Sequence, residues 1–136
     1  MRAVLDPNVV ISALLSPRGA PAQVLRAFED GAFELVVSEL LLEELGRALA
    51  YPKLSSRIPH HDALDAVSWL RRSALVVDDE PPPANLASSD PGDDYLLGIA
   101  AAQRCLLVSG DHHLLDLAPR LPVVTARDFL GMLDAG

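Results

Sequence analysis

Asp6, Glu44, Asp94 and Asp111 are the side chains of this sequence whose setting suggests chemistry. Asp6 ends the apolar run Ala3-Val4-Leu5, and Asp111 follows the run Cys105-Leu106-Leu107-Val108 through Ser109-Gly110. Both read as acids delivered by a strand to the edge of a sheet, and ligands of open α/β sheets bind outside the carboxyl ends of the strands. Glu44 falls inside the apolar arc of a helix, where an acid costs free energy unless it is paired or metal-bound. Asp94 closes the acidic loop Asp90-Pro91-Gly92-Asp93-Asp94 and opens the most apolar helix of the chain. Four carboxylates brought together without Lys or Arg among them repel and raise one another's pKa. A divalent cation resolves that conflict, and hard oxygen ligands suit Mg²⁺ or Mn²⁺. One or two such ions generate hydroxide and stabilise the charge that builds up in phosphodiester cleavage.

Each acid also has a plainer reading. Asp6 can cap a helix that has Pro7 at its first position. Asp111 can cap a short helix over 112–117, and one of Asp90, Asp93 or Asp94 can cap the apolar helix, where the macrodipole favours an acid. One cap needs one acid, and three lie within five residues. Capping and metal binding are compatible, since one carboxylate oxygen can serve each.

The elements that would position these acids follow from periodicity. Ala3–Leu5 reads as a first strand, with a helix from about Asn8 to Leu15 and a turn at Ser16-Pro17-Arg18-Gly19. A second helix has Pro21 in its first turn and ends at Gly31, and Phe33–Val37 reads as strand two. Ser38 caps a helix to about Ala50, stopped by Pro52. Its apolar arc is Leu40, Leu41, Leu45, Ala48 and Leu49 at about 100° per residue, with Glu44 inside it and Glu39 and Glu43 outside. After His60-His61 a helix runs from about Asp62 to Arg72; adjacent residues seldom converge on one ion, so His60-His61-Asp62 reads as a capped helix start and not a metal site. Ala74–Val77 is strand three, and Asp78-Asp79-Glu80-Pro81-Pro82-Pro83 reads as an exposed acidic turn entering extended polyproline. Cys105–Val108 is a fully apolar fourth strand. A last strand at 122–124 precedes a helix that starts at Thr125 with Asp128 in a capping box. This alternation predicts an α/β sandwich with a parallel sheet of four or five strands, although the strand order is not readable from it.

With 136 residues the chain suits one domain. Half the residues are hydrophobic and few are aromatic, which predicts a core of Leu, Val and Ala. The single cysteine, Cys105, lies within an apolar run and reads as a small buried hydrophobe in a reducing compartment. No segment is long enough to span a bilayer. The net charge of −8 disfavours a protein that coats nucleic acid. Any nucleic acid must be held locally, by metal-neutralised acids and a small basic rim for which Arg18, Lys53 and Arg57 are candidates. There is no dinucleotide fingerprint after strand one, no Walker lysine and no serine on a nucleophile elbow. A receiver-type phosphoacceptor domain lacks its late lysine, since Ser109-Gly110-Asp111 occupies that place.

Several blocks together resemble a known family. They are Val4-Leu5-Asp6-Pro7-Asn8-Val9-Val10-Ile11-Ser12-Ala13-Leu14, the Ser38…Leu42-Glu43-Glu44-Leu45 helix with Pro52-Lys53 after it, Asp90-Pro91-Gly92-Asp93-Asp94…Leu97…Ala100, and Val108-Ser109-Gly110-Asp111. In this order they resemble the PIN-domain ribonucleases, and among these the VapC-like toxins of toxin–antitoxin pairs. The resemblance implies a three-layer α/β sandwich with a parallel sheet of about five strands, as a single PIN-like domain over residues 1–136. It implies a metal-dependent endoribonuclease in the cytoplasm, a homodimer without membrane attachment, restrained by a cognate antitoxin protein. By matching positions it assigns catalysis and Mg²⁺ or Mn²⁺ binding to Asp6, Glu44, Asp94 and Asp111. Asp90 and Asp93 belong to its acidic loop, and Asn8 and Ser109 support the pocket by hydrogen bonding. One residue departs from the pattern: Pro7 stands where the family mostly has Thr or Ser, removing a hydroxyl and a backbone N–H. That departure motivates a second reading, a PIN-like module that binds a partner protein or RNA but cleaves poorly.

Overall fold

The structure, a computed structural model, describes residues 1–84, 92, 94–118 and 120–135. Five strands form one parallel sheet: β1 (Arg2–Leu5), β2 (Glu34–Ser38), β3 (Leu75–Val77), β4 (Leu106–Val108) and β5 (Val123–Val124). Their order is β3-β2-β1-β4-β5. The chain therefore steps outward from β1 to β3, then jumps back across β1 to β4 and continues to β5. The reversal lies between β1 and β4, where Ala3 pairs with Leu106 and Leu5 with Val108. A crevice opens at the carboxyl ends of the strands at such a switch point.

Helices α1 (Pro7–Leu15) and α2 (Ala20–Glu29) connect β1 to β2, and α3 (Glu39–Leu49), α4 (Pro52–Ser55) and α5 (His60–Ser73) connect β2 to β3. Helix α6 (Asp94–Gln103) leads into β4, α7 (His112–Leu115) follows it, and α8 (Ala126–Ala135) follows β5. Helix α1 packs against both α2 and α3, with α5 on α3 and α8 on α2, while α6 packs on β1 and β4. Right-handed crossovers place α6 on the face opposite α1–α5, because the chain then moves across the sheet in the other direction. The result is the predicted three-layer α/β sandwich. Central strand β1 is buried from Ala3 to Leu5, and β2 is buried from Leu35 to Ser38. No helix among the described residues is long and apolar enough to cross a membrane.

Local sequence rules account for most element ends. Ser38 caps α3 by accepting the Leu41 N–H at 3.3 Å, and the Thr125 hydroxyl accepts the Asp128 N–H at 3.1 Å as the capping box predicts. Gly31, with φ +80°, turns the chain out of α2 in the left-handed region that glycine tolerates. Strand ends differ from the expected ones by a residue. Two helix starts differ more. Pro52 does not merely stop α3 but occupies the first position of α4, where its missing N–H costs nothing. Helix α5 begins at His60, without a side-chain cap, and Asp62 lies in its first turn beside an exposed His61, Nε2 to Oδ1 3.1 Å.

Three packing features depart from the sequence reading. The buried face of α3 is Leu41, Leu42, Leu45 and Leu49, whereas Leu40 is 46% exposed. The apolar arc is thus rotated from the expected one, and Glu44 stands half-buried at its margin. Residues 78–83 keep Asp78 and Glu80 exposed as expected, but the segment is also tied to two helices. Asp79 Oδ2 accepts the Leu40 N–H at 3.2 Å, adding a carboxylate to the α3 N-terminus, and the Glu80 carbonyl lies directly over Gly98 of α6. Finally, the few aromatics are concentrated. Phe28 meets Phe33 at 5.8 Å and Trp69 at 5.4 Å, and Phe33 meets the fully buried Phe129 edge-on at 4.9 Å. Phe33 immediately precedes β2 and Trp69 lies shortly before β3, so this aromatic chain closes the amino ends of the strands.

Candidate active site

The strand ends at the switch point are stitched together by polar groups. The Asp6 N–H donates to the Val108 carbonyl at 2.9 Å, extending the β1–β4 pairing by one bond, and the Ser109 N–H donates to the Val124 carbonyl of β5 at 2.9 Å. Asp6 is only 3% exposed and Ser109 is fully enclosed. Asp6 Oδ1 accepts the Asn8 N–H at 3.0 Å, which makes it the cap of α1. Its Oδ2 accepts the Ser109 hydroxyl proton at 2.8 Å. Ser109 Oγ in turn accepts the Asp111 N–H at 3.0 Å, and Asp111 Oδ1 accepts the His113 N–H at 2.8 Å, capping α7. Asp6 and Asp111 are therefore both helix caps, and the Ser109 hydroxyl links them through the other oxygen of Asp6.

Asp6 carries the electrostatic signature of this edge. Burial pushes its carboxyl above the ordinary value, because the ionised form loses hydration. The Asn8 N–H and the Ser109 hydroxyl pull in the other direction. The negative charges of Asp111 and Glu44 push it up again, and the net result is a raised pKa. Glu44 and Asp111 thus act on the same buried group from separate elements. Asp94 is half-buried at the first position of α6. Among the described residues the acids that raise Asp6 are Asp111 and Glu44, and Asp94 is not one of them. Asp90 and Asp93 lie outside the described residues.

Two open depressions flank this edge. One, of about 400 Å³, is lined by Asn8, Val9, Ser12, Pro21, Gly110, Asp111 and Ala126. The other, of about 250 Å³, is lined by Leu40, Glu44, Arg47, Gly92 and Tyr95. Arg47 is a residue the sequence reading passed over. It sits at i+3 from Glu44, a spacing that makes helix neighbours and could have flagged it. Arg18, Lys53 and Arg57 are exposed and line neither depression. Asn8 contributes its backbone N–H to Asp6, while its exposed side chain faces the larger depression's lining. Pro7, buried at the first turn of α1, offers no donor to this edge.

Donor chemistry decides which ion would suit these residues. Asp6, Glu44, Asp94 and Asp111 offer only carboxylate oxygens, the hard ligands that Mg²⁺ and Mn²⁺ prefer. A carboxyl raised first by burial and then by like charges is the group a cation would favour in its ionised form. Among the described residues no three Asp, Glu, His or Cys side chains are gathered closely enough to share one ion. If a metal sits on Asp6 and Asp111, removing the Ser109 hydroxyl that links them is expected to lower metal-stimulated cleavage about 10–100-fold in Ser109→Ala, as loss of a ligand's outer partner does. Steady-state rates across a Mn²⁺ titration check this, with a higher half-saturating metal concentration as the expected signature.

The fold and its relatives agree. The sequence profile of the PIN domain matches residues 2–113. An uncharacterised protein of Methanocaldococcus jannaschii is 25% identical over 117 residues, covering 86% of this chain and 75% of its own. The crystal structure of PAE2754 from Pyrobaculum aerophilum superposes with a TM-score of 0.68 at 17% identity, over 100% of this chain and 91% of that one. VapBC2 from Rickettsia felis, solved bound to a DNA fragment from its promoter, gives 0.62 at 14% identity over 90% of this chain and 97% of that one. VapBC-1 from nontypeable Haemophilus influenzae gives 0.62 at 14% over 93% and 99%. PIN domains are generally nucleases. A profile match across most of the sequence, on a parallel sheet whose strand reversal carries Asp6 and Asp111 at one edge, shows that the chain belongs to the PIN domain family.

Proposed function

We propose that this protein is a metal-dependent endoribonuclease, the toxin of a toxin–antitoxin pair, acting in the cytoplasm as a homodimer held in check by an antitoxin protein. The observation that carries the reading is the buried Asp6 carboxyl, clamped by Ser109 beside Asp111 and raised in pKa by burial and by Asp111 and Glu44. Such a group is a poor structural choice unless a cation offsets its charge. Asp6, Glu44, Asp94 and Asp111 would hold Mg²⁺ or Mn²⁺, which supplies a deprotonated water and neutralises charge on the phosphodiester. The chain's own part is positional. Ser109 fixes the free oxygen of Asp6, the α7 cap fixes one oxygen of Asp111, and Arg47 beside Glu44 offers a cation to a backbone phosphate. The likeness of the fold to VapBC proteins supports the toxin assignment.

Purified protein with end-labelled RNA and Mn²⁺ or Mg²⁺ tests the proposal. Wild type should cut in a metal-dependent way, and Asp94→Asn should cut at least about a hundredfold more slowly. Equal cutting by both proteins would identify a contaminant and remove the nuclease reading. Pro7 and the spacing of the described carboxylates favour a second reading, a PIN-like binding module with weak activity. RNA retained on the protein in Mn²⁺ without any metal-stimulated cutting would select it.

A further inference from the structure

The cavity of about 400 Å³ beside Asp111 is larger than metal binding requires and has a different character from the acidic edge. Its size falls in the range of about 300–1,000 Å³ typical of organic-ligand sites. Its walls come from three elements that pack together: Asn8, Val9 and Ser12 of α1, Pro21 of α2 and Ala126 of α8, with Gly110 and Asp111 at the rim. Val9, Pro21 and Ala126 form an aliphatic lining. Asn8 and Ser12 stand one helical turn apart on the same face of α1. Both are exposed, and neither side chain has a hydrogen-bond partner among the described residues. Asparagine presents a donor and an acceptor together, the pair that matches the edge of a base. Gly110 leaves the rim between cavity and acids open, since a Cβ there would meet nothing within 4 Å.

We infer that this cavity receives one nucleobase of a single-stranded RNA, the base next to the phosphodiester held at Asp6 and Asp111, and that Asn8 and Ser12 read its edge. The inference rests on the ribonuclease reading for the identity of the polymer. A duplex cannot offer such a base without unstacking it, so the cavity selects single strands. The cavity has no aromatic wall, so the contact is burial against aliphatic carbon plus one polar edge.

An abasic scan tests this. A five-nucleotide single-stranded RNA, labelled for fluorescence anisotropy, is titrated with wild-type protein in Ca²⁺, with the base removed at each position in turn. One position should show a loss of about tenfold in affinity, the contribution of one base face leaving water. Ser12→Leu and Ala126→Leu fill the cavity from opposite walls, and both should abolish that position dependence while leaving the abasic RNA bound as before. Thermal unfolding of both variants confirms that they fold, and either one alone suffices. A flat scan with wild type, or an unchanged scan with a folded variant, overturns the inference. The same RNA is then incubated with Mn²⁺. A sensitive position without cleavage keeps the base site and removes the nuclease, whereas cleavage with a flat scan does the reverse.

Discussion

Asp6→Asn is expected to cost at least about a hundredfold in RNA cleavage while raising, in metal-free buffer at neutral pH, the midpoint of thermal unfolding. The two effects share one cause. Folding buries Asp6 and raises its pKa, first through lost hydration and then through the charges of Asp111 and Glu44. At a pH below the ordinary carboxylate value the group is protonated in both states and its favourable contribution is complete. As pH rises, the unfolded chain releases its proton first, and stability falls until the folded group has ionised too. Asparagine mimics the neutral acid and does not titrate. Its advantage over the wild type should therefore be absent under acid conditions and grow as pH passes from the ordinary carboxylate value through the raised one. Asparagine keeps an acceptor for the Asn8 N–H but none for the Ser109 hydroxyl, which offsets about 1 kcal/mol of the gain. Scanning calorimetry across pH reads the difference, and a constant gap between the two proteins would mean that the charge of Asp6 is not what strains the fold. Saturating Mn²⁺ should then reverse the ranking, since an ion at a hundred times its dissociation constant adds about 2.7 kcal/mol to the protein that binds it.

Gly98→Ala is expected to be the most damaging single methyl in the chain. A Cβ at Gly98 would lie 1.8 Å from the Glu80 carbonyl oxygen, 2.7 Å from its carbon and 3.1 Å from the Pro81 carbonyl carbon. The obstacle is main chain, and the three consecutive prolines that follow Glu80 have fixed φ and little freedom to yield. Helix α6 must then lift from the sheet, taking Leu96, Leu97, Ile99 and Ala100 out of close packing. A loss of about 3 kcal/mol, or roughly 10 °C in midpoint, is the scale for such overpacking. Cleavage by the fraction that remains folded should fall as well, because Asp94 begins the displaced helix. An unchanged midpoint would show that the segment at Glu80 does not press on α6.

What could be read from the sequence divides along physical lines. Asp6 and Asp111 were legible because an apolar strand followed by an acid is a local pattern, and parallel pairing then places both at one edge. The caps at Ser38, Thr125 and Asp111 were legible for the same reason. Glu44 was placed on the correct helix but too deep within its arc. A period of 3.6 cannot say which of Leu40 and Leu42 ends the buried face, and here the segment at Asp79 meets the helix start on the Leu40 side. The contact of Glu80 with Gly98 was invisible because it joins distant segments, and a run of acids and prolines looks solvated in isolation. The aromatic chain was likewise hidden, since composition reveals how many rings there are but not that four of them meet. Strand order needed the structure, because alternation alone does not distinguish the doubly wound arrangement from others.

The bond between Asp6 and Ser109 joins residues 103 positions apart, and the strand that carries Ser109 pairs with β1 only after every other crossover but the last has been made. During synthesis Asp6 therefore waits for a partner that lies 103 positions further along the chain. The edge assembles once β4 has left the ribosome and docked against β1. Until then β1 can pair only with β2, and Asp6 lacks the Ser109 hydroxyl. Topology itself thus withholds the shared edge of Asp6 and Asp111 until the chain has been made past β4.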